Sequence, residues 1–189
     1  MRTMPGAPDT PAEACAARSQ ERIEATVRAH YATVWRSLRR LGLDEATADD
    51  AAQHVFGVFA RRVDDVVVGK EKTFLFGVAI RVAQSMRKRD PRAVAIDDDA
   101  LAAVPSMEDG PDALLEAQRA RAFLGAILDA MPNDLRTVFV LYEIEEMTMA
   151  EIATITATPS GTVASRLRRA RETFEELSRR TQRREAGRR

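Results

Sequence analysis

Hydroxyl and guanidinium side chains are concentrated near the carboxyl end of this 189-residue chain. They lie on a predicted helix that begins at Ser160 and whose apolar positions face inward. Hydroxyl and guanidinium groups near a helix N-terminus bind phosphates and the edges of guanine bases. The pattern therefore favours nucleic-acid binding, with an amphipathic helical hairpin carrying solvated arginines as the alternative. The candidate residues are Ser160, Thr162, Ser165, Arg166, Arg168 and Arg169.

A short helix is predicted just before this one, over about 148–155. Thr148 and Glu151 have the spacing of a capping box, which marks the start of a helix. A tight turn through Ala157 and Pro159 then leads to Ser160, and the order short helix, turn, long helix is that of a helix-turn-helix. Such turns usually contain a glycine with a left-handed backbone. The sequence therefore predicts a helix-turn-helix whose turn is built differently at Ala157.

A second base-rich helix is predicted over about 74–89, where apolar residues recur every three or four positions. Phe74 and Phe76 stand at its start. Bases of unpaired DNA stack on aromatic rings while basic groups neutralise the phosphates, so this helix suits partly melted DNA. For the two phenylalanines individually, a place in the core is favoured. The outward stripe consists of Gly77, Arg81, Gln84, Arg87 and Lys88.

The helix before it starts near Thr47 and presents polar groups beside its apolar face. The candidates there are Asp49, Asp50, Gln53 and His54. No nucleophile, matched base or metal set accompanies them, so we expect no enzyme activity. A surface that docks another protein is the functional alternative.

The composition excludes several classes of protein. The single cysteine, Cys15, excludes a disulfide framework, fits a reducing cytoplasm and lies far from both histidines, so we expect neither a zinc site nor another cofactor. Apolar stretches such as Phe74–Ile80 are far shorter than the ~20 residues that span a bilayer. Residues 1–18 lack the apolar core of a signal peptide. We therefore expect a soluble cytoplasmic protein without membrane insertion.

The net charge of zero is the sum of unlike segments. Basic residues dominate 81–92 and the chain from 160 onward, whereas 93–117 is acidic and contains no lysine or arginine. Two basic blocks on either side of an acidic one indicate two polyanion-binding surfaces.

Helical periodicity runs through nearly the whole chain and fails between Asp90 and Pro111, where prolines and acidic residues accumulate. The sequence therefore predicts an all-α fold of two small helical domains joined by a flexible acidic linker, the C-terminal domain containing the helix-turn-helix. The predicted segments are a disordered tail (1–19), an N-terminal domain (20–90), the linker (91–112), a C-terminal domain (113–180) and a basic tail (181–189).

Several of these segments resemble the bacterial extracytoplasmic-function (ECF) sigma factors of RNA polymerase. Asp49–Phe56 resembles the acidic, glutamine-containing helix of their region two, and Phe74–Arg81 resembles the helix that follows it, with phenylalanine in place of the usual tryptophan. Segments 131–153 and 161–171 resemble region four. The resemblance covers about 22–90 and 115–178 and includes the order of the two domains.

This resemblance implies a transcription initiation factor that binds core RNA polymerase, directs it to specific promoters and helps to melt the DNA. The stripe on the second base-rich helix and the loop Asp65–Lys72 would then meet the minus-ten element. The residues of the last helix would enter the major groove at the minus-35 element, and the acidic linker would pass through polymerase channels. The implied partners are core RNA polymerase, promoter DNA and an anti-sigma factor. The implied polymerase-binding residues are Asp49, Asp50, Gln53 and Phe56.

Two functions of other classes stay open. One is a stand-alone helix-turn-helix regulator that binds duplex DNA without polymerase. The other is a helical adaptor that holds a partner protein and whose basic helices are only solvated.

Overall fold

The computed structural model describes residues 10–89 and 111–186. Over these residues the chain is helical, with short connecting turns, which confirms the all-α prediction. Nowhere in the two ranges does a helix combine the length and hydropathy needed to cross a membrane. The helices are α1 (Pro11–Arg40), α2 (Glu45–Arg61), α3 (Glu71–Arg89), α4 (Pro111–Ala130), α5 (Asn133–Phe139), α6 (Met149–Thr156) and α7 (Ser160–Ala186).

Helices α1, α2 and α3 form the N-terminal domain. Helix α2 begins after Asp44, whose carboxylate accepts a hydrogen bond from the Thr47 backbone N–H at 2.9 Å and so caps the helix. In the preceding turn Gly42 has φ +91°, a conformation that favours glycine. The apolar stripes of the three helices meet in a common core. Its fully buried members include Leu38, Phe59 and Leu75.

Helices α4 to α7 form the C-terminal domain. Helix α5 runs directly into one π-helical turn, Val140–Ile144. The rings of Phe139 and Phe174 stack with their centroids 4.7 Å apart, which holds α7 against α5. An apolar cluster that includes Ile127 and Leu128 joins α4 to the same helices. This bundle supports α6 and the first half of α7, which form the helix-turn-helix.

The two domains share a continuous apolar core. Helix α3 packs against α6, and Val138 and Ile152 of the C-terminal domain belong to the same buried cluster as Leu38 and Phe76 of the N-terminal domain. The sequence did not predict this contact, because helical periodicity identifies an apolar face but not its packing partner.

Three predicted boundaries differ from the structure. Helix α1 begins at Pro11, so residues 11–19 are helical rather than part of a disordered tail. Helix α4 begins at Pro111, within the predicted linker, and α7 continues to Ala186, within the predicted basic tail. Lengthening a formed helix adds one hydrogen bond per residue, so such extensions cost little. Residues 1–9 of the predicted tail, 90–110 of the linker region and 187–189 lie outside the described residues.

Candidate nucleic-acid interface

The helix-turn-helix begins with a capped helix. The Thr148 hydroxyl accepts a hydrogen bond from the Glu151 backbone N–H at 3.3 Å. In return, the Thr148 backbone N–H donates to the Glu151 carboxylate at 3.1 Å. This reciprocal pair confirms the predicted capping box. The hydrogen bonds from Thr148 lower the pKa of the Glu151 carboxyl, so the start of α6 carries a negative charge at neutral pH.

The turn after α6 has the left-handed backbone that glycine usually supplies. Ala157 ends α6 with φ 48° and ψ 42°, and its backbone N–H is hydrogen-bonded to carbonyls of the last turn. A Cβ atom disfavours this region of the backbone by about 1–2 kcal/mol. The prediction that the turn is built differently is therefore wrong: Ala157 adopts the left-handed conformation itself.

Most of the predicted residues on α7 face solvent. The exception is Arg166, which is half-buried and whose guanidinium lies 3.6 Å from the Asp134 carboxylate. Arg168 pairs with Glu172 at 2.7 Å, a contact between exposed groups that contributes little stability. The first turns of α7 therefore present hydroxyl and guanidinium groups outward. The exposed residues are Ser160, Thr162, Ser165, Arg168 and Arg169.

The predicted stripe on α3 is less accessible than the face of α7. Arg81 and Gln84 are exposed, but Gly77 is buried. Arg87 is half-buried, and its guanidinium donates hydrogen bonds to the Leu41 carbonyl at 2.7 Å and to the Asn133 side chain at 2.8 Å. Burial lowers the pKa of the Arg87 guanidinium. The side chain of Lys88 lies outside the described residues.

The two phenylalanines at the start of α3 belong mainly to the core, as predicted. Phe76 is fully buried. Phe74 is half-buried, with its ring centroid 6.0 Å from that of Phe59.

The structure brings the two predicted nucleic-acid surfaces next to each other. A Cβ atom placed on Gly77 of α3 would lie 4.0 Å from the Ile155 side chain of α6. A cleft of about 390 Å³ also lies between the domains, where Gln84 and Arg87 of the stripe share its lining with Arg166 of α7. The two base-rich surfaces are therefore neighbours in this structure.

The loop between α2 and α3 is held from behind by α1. The guanidinium of Arg22 donates hydrogen bonds to the carbonyls of Val63 at 2.9 Å and Val66 at 2.6 Å, and forms an ion pair with Glu71 at 2.7 Å. Burial raises the pKa of the Glu71 carboxyl, but its hydrogen bonds outweigh burial and the net shift is downward. The Arg22 contacts fix both ends of a loop whose tip is exposed.

Two apolar side chains stand at that tip. Val67 is 70% exposed and Val68 is 80% exposed, and Gly69 follows them with φ +83°. The family resemblance predicted that this loop contacts DNA. It gave no indication of Arg22, because the carbonyls that Arg22 contacts lie more than forty positions further along the chain.

The polar face of α2 is supported by aromatic residues of α1. The Trp35 indole N–H donates to the Asp49 carboxylate at 2.6 Å. The buried ring of Phe56 stacks on the half-exposed ring of Tyr31, with centroids 5.6 Å apart. Sequence reasoning missed Tyr31 and Trp35 as parts of this surface, although their four-residue spacing places them on one side of a helix.

The predicted partners of this face differ in exposure. Asp50 and Gln53 project into solvent. Phe56 lies beneath them in the core.

The C-terminal domain matches the family described as "Sigma-70, region 4" over residues 121–174. The fold and this match define a helical protein whose C-terminal helix-turn-helix domain is of the sigma-70 region 4 type.

Two similar proteins cover most of the chain. It is 30% identical over 150 residues to the ECF RNA polymerase sigma factor SigE of Mycolicibacterium smegmatis, an alignment that covers 77% of this chain and 57% of that protein. It is also 30% identical over 142 residues to the RNA polymerase sigma-H factor of Pseudomonas aeruginosa, covering 70% of this chain and 73% of that protein. The chain belongs to the ECF RNA polymerase sigma factor family.

Two solved structures share the fold. The sigma factor RpoE in complex with the anti-sigma factor NepR, from Bartonella quintana, has a TM-score of 0.61 and 22% identity over 82% of this chain and 94% of that one. CnrH in complex with the cytosolic domain of CnrY has a TM-score of 0.60 and 20% identity over 86% of this chain and 93% of that one.

Proposed function

We propose that this protein is a transcription initiation factor of the ECF sigma type. It binds core RNA polymerase, directs the polymerase to specific promoters and helps to melt the DNA. The observation that carries this proposal is the helix-turn-helix, whose second helix exposes Thr162, Ser165 and Arg169 on its first turns. Membership of the ECF sigma factor family supports core RNA polymerase as the binding partner. The protein acts in the cytoplasm and has no enzymatic activity of its own.

The start of α7 is the proposed contact with the minus-35 element. A recognition helix of this kind reads the major groove through residues near its N-terminus. Arginine pairs with guanine edges, while hydroxyls bind phosphates or bases. The six candidate residues from Ser160 to Arg169 divide these roles among them. Arg166 must exchange Asp134 for DNA when the duplex binds.

The α3 stripe and the loop before it are the proposed contact with the minus-ten element. Arg81, Gln84, Arg87 and Lys88 supply basic and amide groups for the phosphates of a melted strand. The exposed tip at Val67 and Val68 offers an apolar surface to unstacked bases.

The exposed face of α2 is the proposed docking surface for core polymerase. Asp50 and Gln53 provide the polar contacts, and Asp49 is held in place by Trp35. Phe56 supports them from below. The acidic linker passes through polymerase channels in this proposal, as the resemblance implies.

An anti-sigma factor is a further proposed partner. One similar solved structure is a complex of the sigma factor RpoE with the anti-sigma factor NepR, and another is a complex of CnrH with the cytosolic domain of CnrY. Their folds cover most of this chain, which supports the expectation that a comparable inhibitor binds it.

Gel filtration with bacterial core RNA polymerase tests the proposal. The full chain is mixed with core polymerase, with and without an excess of housekeeping sigma factor. We expect co-elution that the competitor abolishes. A folded chain that never co-elutes with polymerase would exclude the sigma mechanism and favour the stand-alone regulator, provided that it still binds duplex DNA.

A further inference from the structure

Helix α1 contacts the loop between α2 and α3 through one arginine. The Arg22 guanidinium donates hydrogen bonds to the carbonyls of Val63 at 2.9 Å and Val66 at 2.6 Å. It also binds the Glu71 carboxylate twice, through Nε at 3.0 Å and through Nη2 at 2.7 Å. A guanidinium holds its five N–H donors in a rigid plane. Arg22 therefore fixes the first part of the loop relative to the first residue of α3.

A hydroxyl one turn earlier on α1 adds a second contact. Ser19 donates a hydrogen bond to the Asp64 carboxylate at 2.6 Å. Residues three positions apart lie on the same side of a helix, so Ser19 and Arg22 face the loop together. We call these two residues the α1 brace. The Ser19 contact is exposed and the Arg22 contacts are partly buried, so we expect Arg22 to make the larger contribution.

Hydrogen bonds inside the loop join residues three positions apart. The Asp65 backbone N–H donates to the Arg62 carbonyl at 3.0 Å, and the Val66 backbone N–H donates to the Val63 carbonyl at 3.3 Å. Turns of this kind shape the chain over four residues. The direction in which the tip points therefore depends on the α1 brace and on the buried side chains of Val63 and Val66.

The loop places its exposed tip beside α3. A cleft of about 490 Å³ has a lining that includes Val67 and Lys70 of the loop and Phe74 and Arg81 of α3. The tip offers apolar surface to a base, while Lys70 and Arg81 offer positive charge to phosphates. Binding groups that act together must be held within about 0.5 Å of the productive geometry. The position of the loop therefore controls how a base fits between the tip and α3.

We propose that Arg22, assisted by Ser19, is a positioning residue for the minus-ten contact: it holds the loop so that the tip discriminates among the bases of the melted strand. Arg22 acts through the loop, because its guanidinium is bonded to Val63, Val66 and Glu71. This inference rests on the proposed function for the DNA that the loop meets. The α1 brace itself is a property of the free chain and is measured without polymerase.

Selection from a promoter library tests the positioning role. The full chain is combined with core RNA polymerase, and the holoenzyme selects duplex fragments in which both elements are randomised. We expect Arg22→Gln to reduce the preference for the favoured minus-ten bases by about fivefold, the lower end of the discrimination that one base pair provides. The minus-35 preference should stay within about twofold, because α7 makes that contact in the proposed function.

Arg18→Gln is the matched variant for this selection. It removes the same charge from the same helix, and its exposed guanidinium donates to the Ala14 carbonyl of α1 rather than to the loop. Both of its preferences should match the wild type. An unchanged minus-ten preference in Arg22→Gln would overturn the proposal. An equal loss at both elements would also overturn it, because general destabilisation of the chain would then explain the result.

Arg22→Lys keeps the proposal testable if Arg22→Gln fails to fold. The substituted ammonium retains the charge opposite Glu71, but it lacks the planar fork that binds the Val63 and Val66 carbonyls at the same time. We expect normal binding to polymerase and a minus-ten preference reduced by about threefold. A wild-type preference would show that the charge opposite Glu71 is sufficient, which would overturn the role of the loop contacts.

The position of the loop is measured separately in the free chain. Nitroxide labels are attached to Val68→Cys at the tip and Ser85→Cys on α3, in a Cys15→Ser background that removes the exposed native thiol. We expect the distribution of distances between the labels to become about twice as wide with either Arg22 variant and to stay unchanged with Arg18→Gln. Equal widths in all of these chains would refute the α1 brace.

The two measurements separate this inference from the proposed function. A wider distance distribution with an unchanged minus-ten preference would retain the α1 brace but reject the assignment of the loop to the minus-ten element, which overturns the positioning role. A wild-type chain that forms no holoenzyme would overturn the proposed function, and with it the role of Arg22 in DNA recognition, whatever distances the labels report.

Discussion

The two base-rich helices are similar in sequence pattern but differ in their surroundings. On α7 the candidate groups Thr162, Ser165 and Arg169 are exposed. On α3 the candidates are divided between solvent and the domain interface, since Gly77 is buried and Arg87 is bonded to Leu41 and Asn133. The difference arises from tertiary packing, within the N-terminal domain at Leu41 and against the C-terminal domain at Asn133, and not from the helix itself. A basic stripe identifies a possible ligand surface, and only the tertiary contacts show whether it is accessible in the free chain.

The face of α2 is the first test of this comparison, because it is exposed like α7 although it belongs to the same domain as α3. Asp50→Arg should abolish binding to core polymerase, since an acidic docking surface requires a basic partner and like charges across an interface cost several kcal/mol. Co-elution with polymerase measures the effect. Glu24→Arg, an exposed reversal on α1, is the control and should bind normally. Normal binding by Asp50→Arg would remove α2 from the docking surface.

Arginine removal on the two base-rich helices sharpens the comparison. Replacing Arg166 and Arg169 by alanine should weaken binding of the free chain to a promoter duplex by about 1–3 kcal/mol per lost base contact. Arg81→Ala should leave that affinity within about twofold, because the α3 stripe is the proposed contact with melted DNA and not with duplex DNA. With polymerase present, Arg81→Ala should instead reduce promoter opening, measured by permanganate reactivity.

The contrary result is equally informative. If Arg81→Ala weakened duplex binding by the free chain as much as the α7 variant does, both helices would contact the duplex. The distinction between α3 and α7 would then be lost.

Local features of the site were predictable and distant ones were not. The capping box at Thr148 and the helix-turn-helix follow from residues within a few positions of one another. Glu145 has no local signal, because its partner Ser37 lies 108 positions away. The same reason explains why Arg22 was missed while the exposed face of α7 was found.

The loop before α3 is expected to depend on Arg22. Arg22→Gln should lower the free energy of unfolding by about 1–3 kcal/mol, because the carbonyls of Val63 and Val66 lose a charged donor. Urea denaturation measures this loss, and hydrogen exchange should rise first over residues 63–70. Arg18→Gln is the control: its exposed guanidinium donates a hydrogen bond to the Ala14 carbonyl of the same helix at 3.2 Å, so we expect a change within about 0.5 kcal/mol.

The smallest expected effect is at the turn between α6 and α7. It tests whether the exposure of the α7 residues depends on the backbone strain at Ala157. Ala157→Gly should raise the free energy of unfolding by about 0.5–1 kcal/mol. Glycine relieves the left-handed strain at φ 48°, and its greater freedom in the unfolded chain offsets part of that gain. Thermal denaturation measures the change, with Ala164→Gly on exposed α7 as the control that should lose about 1 kcal/mol. Destabilisation of both variants would mean that the turn carries no strain for glycine to relieve. Stabilisation with unchanged duplex affinity would show that α7 is presented by its packing in the C-terminal domain, which is the property that separates it from α3.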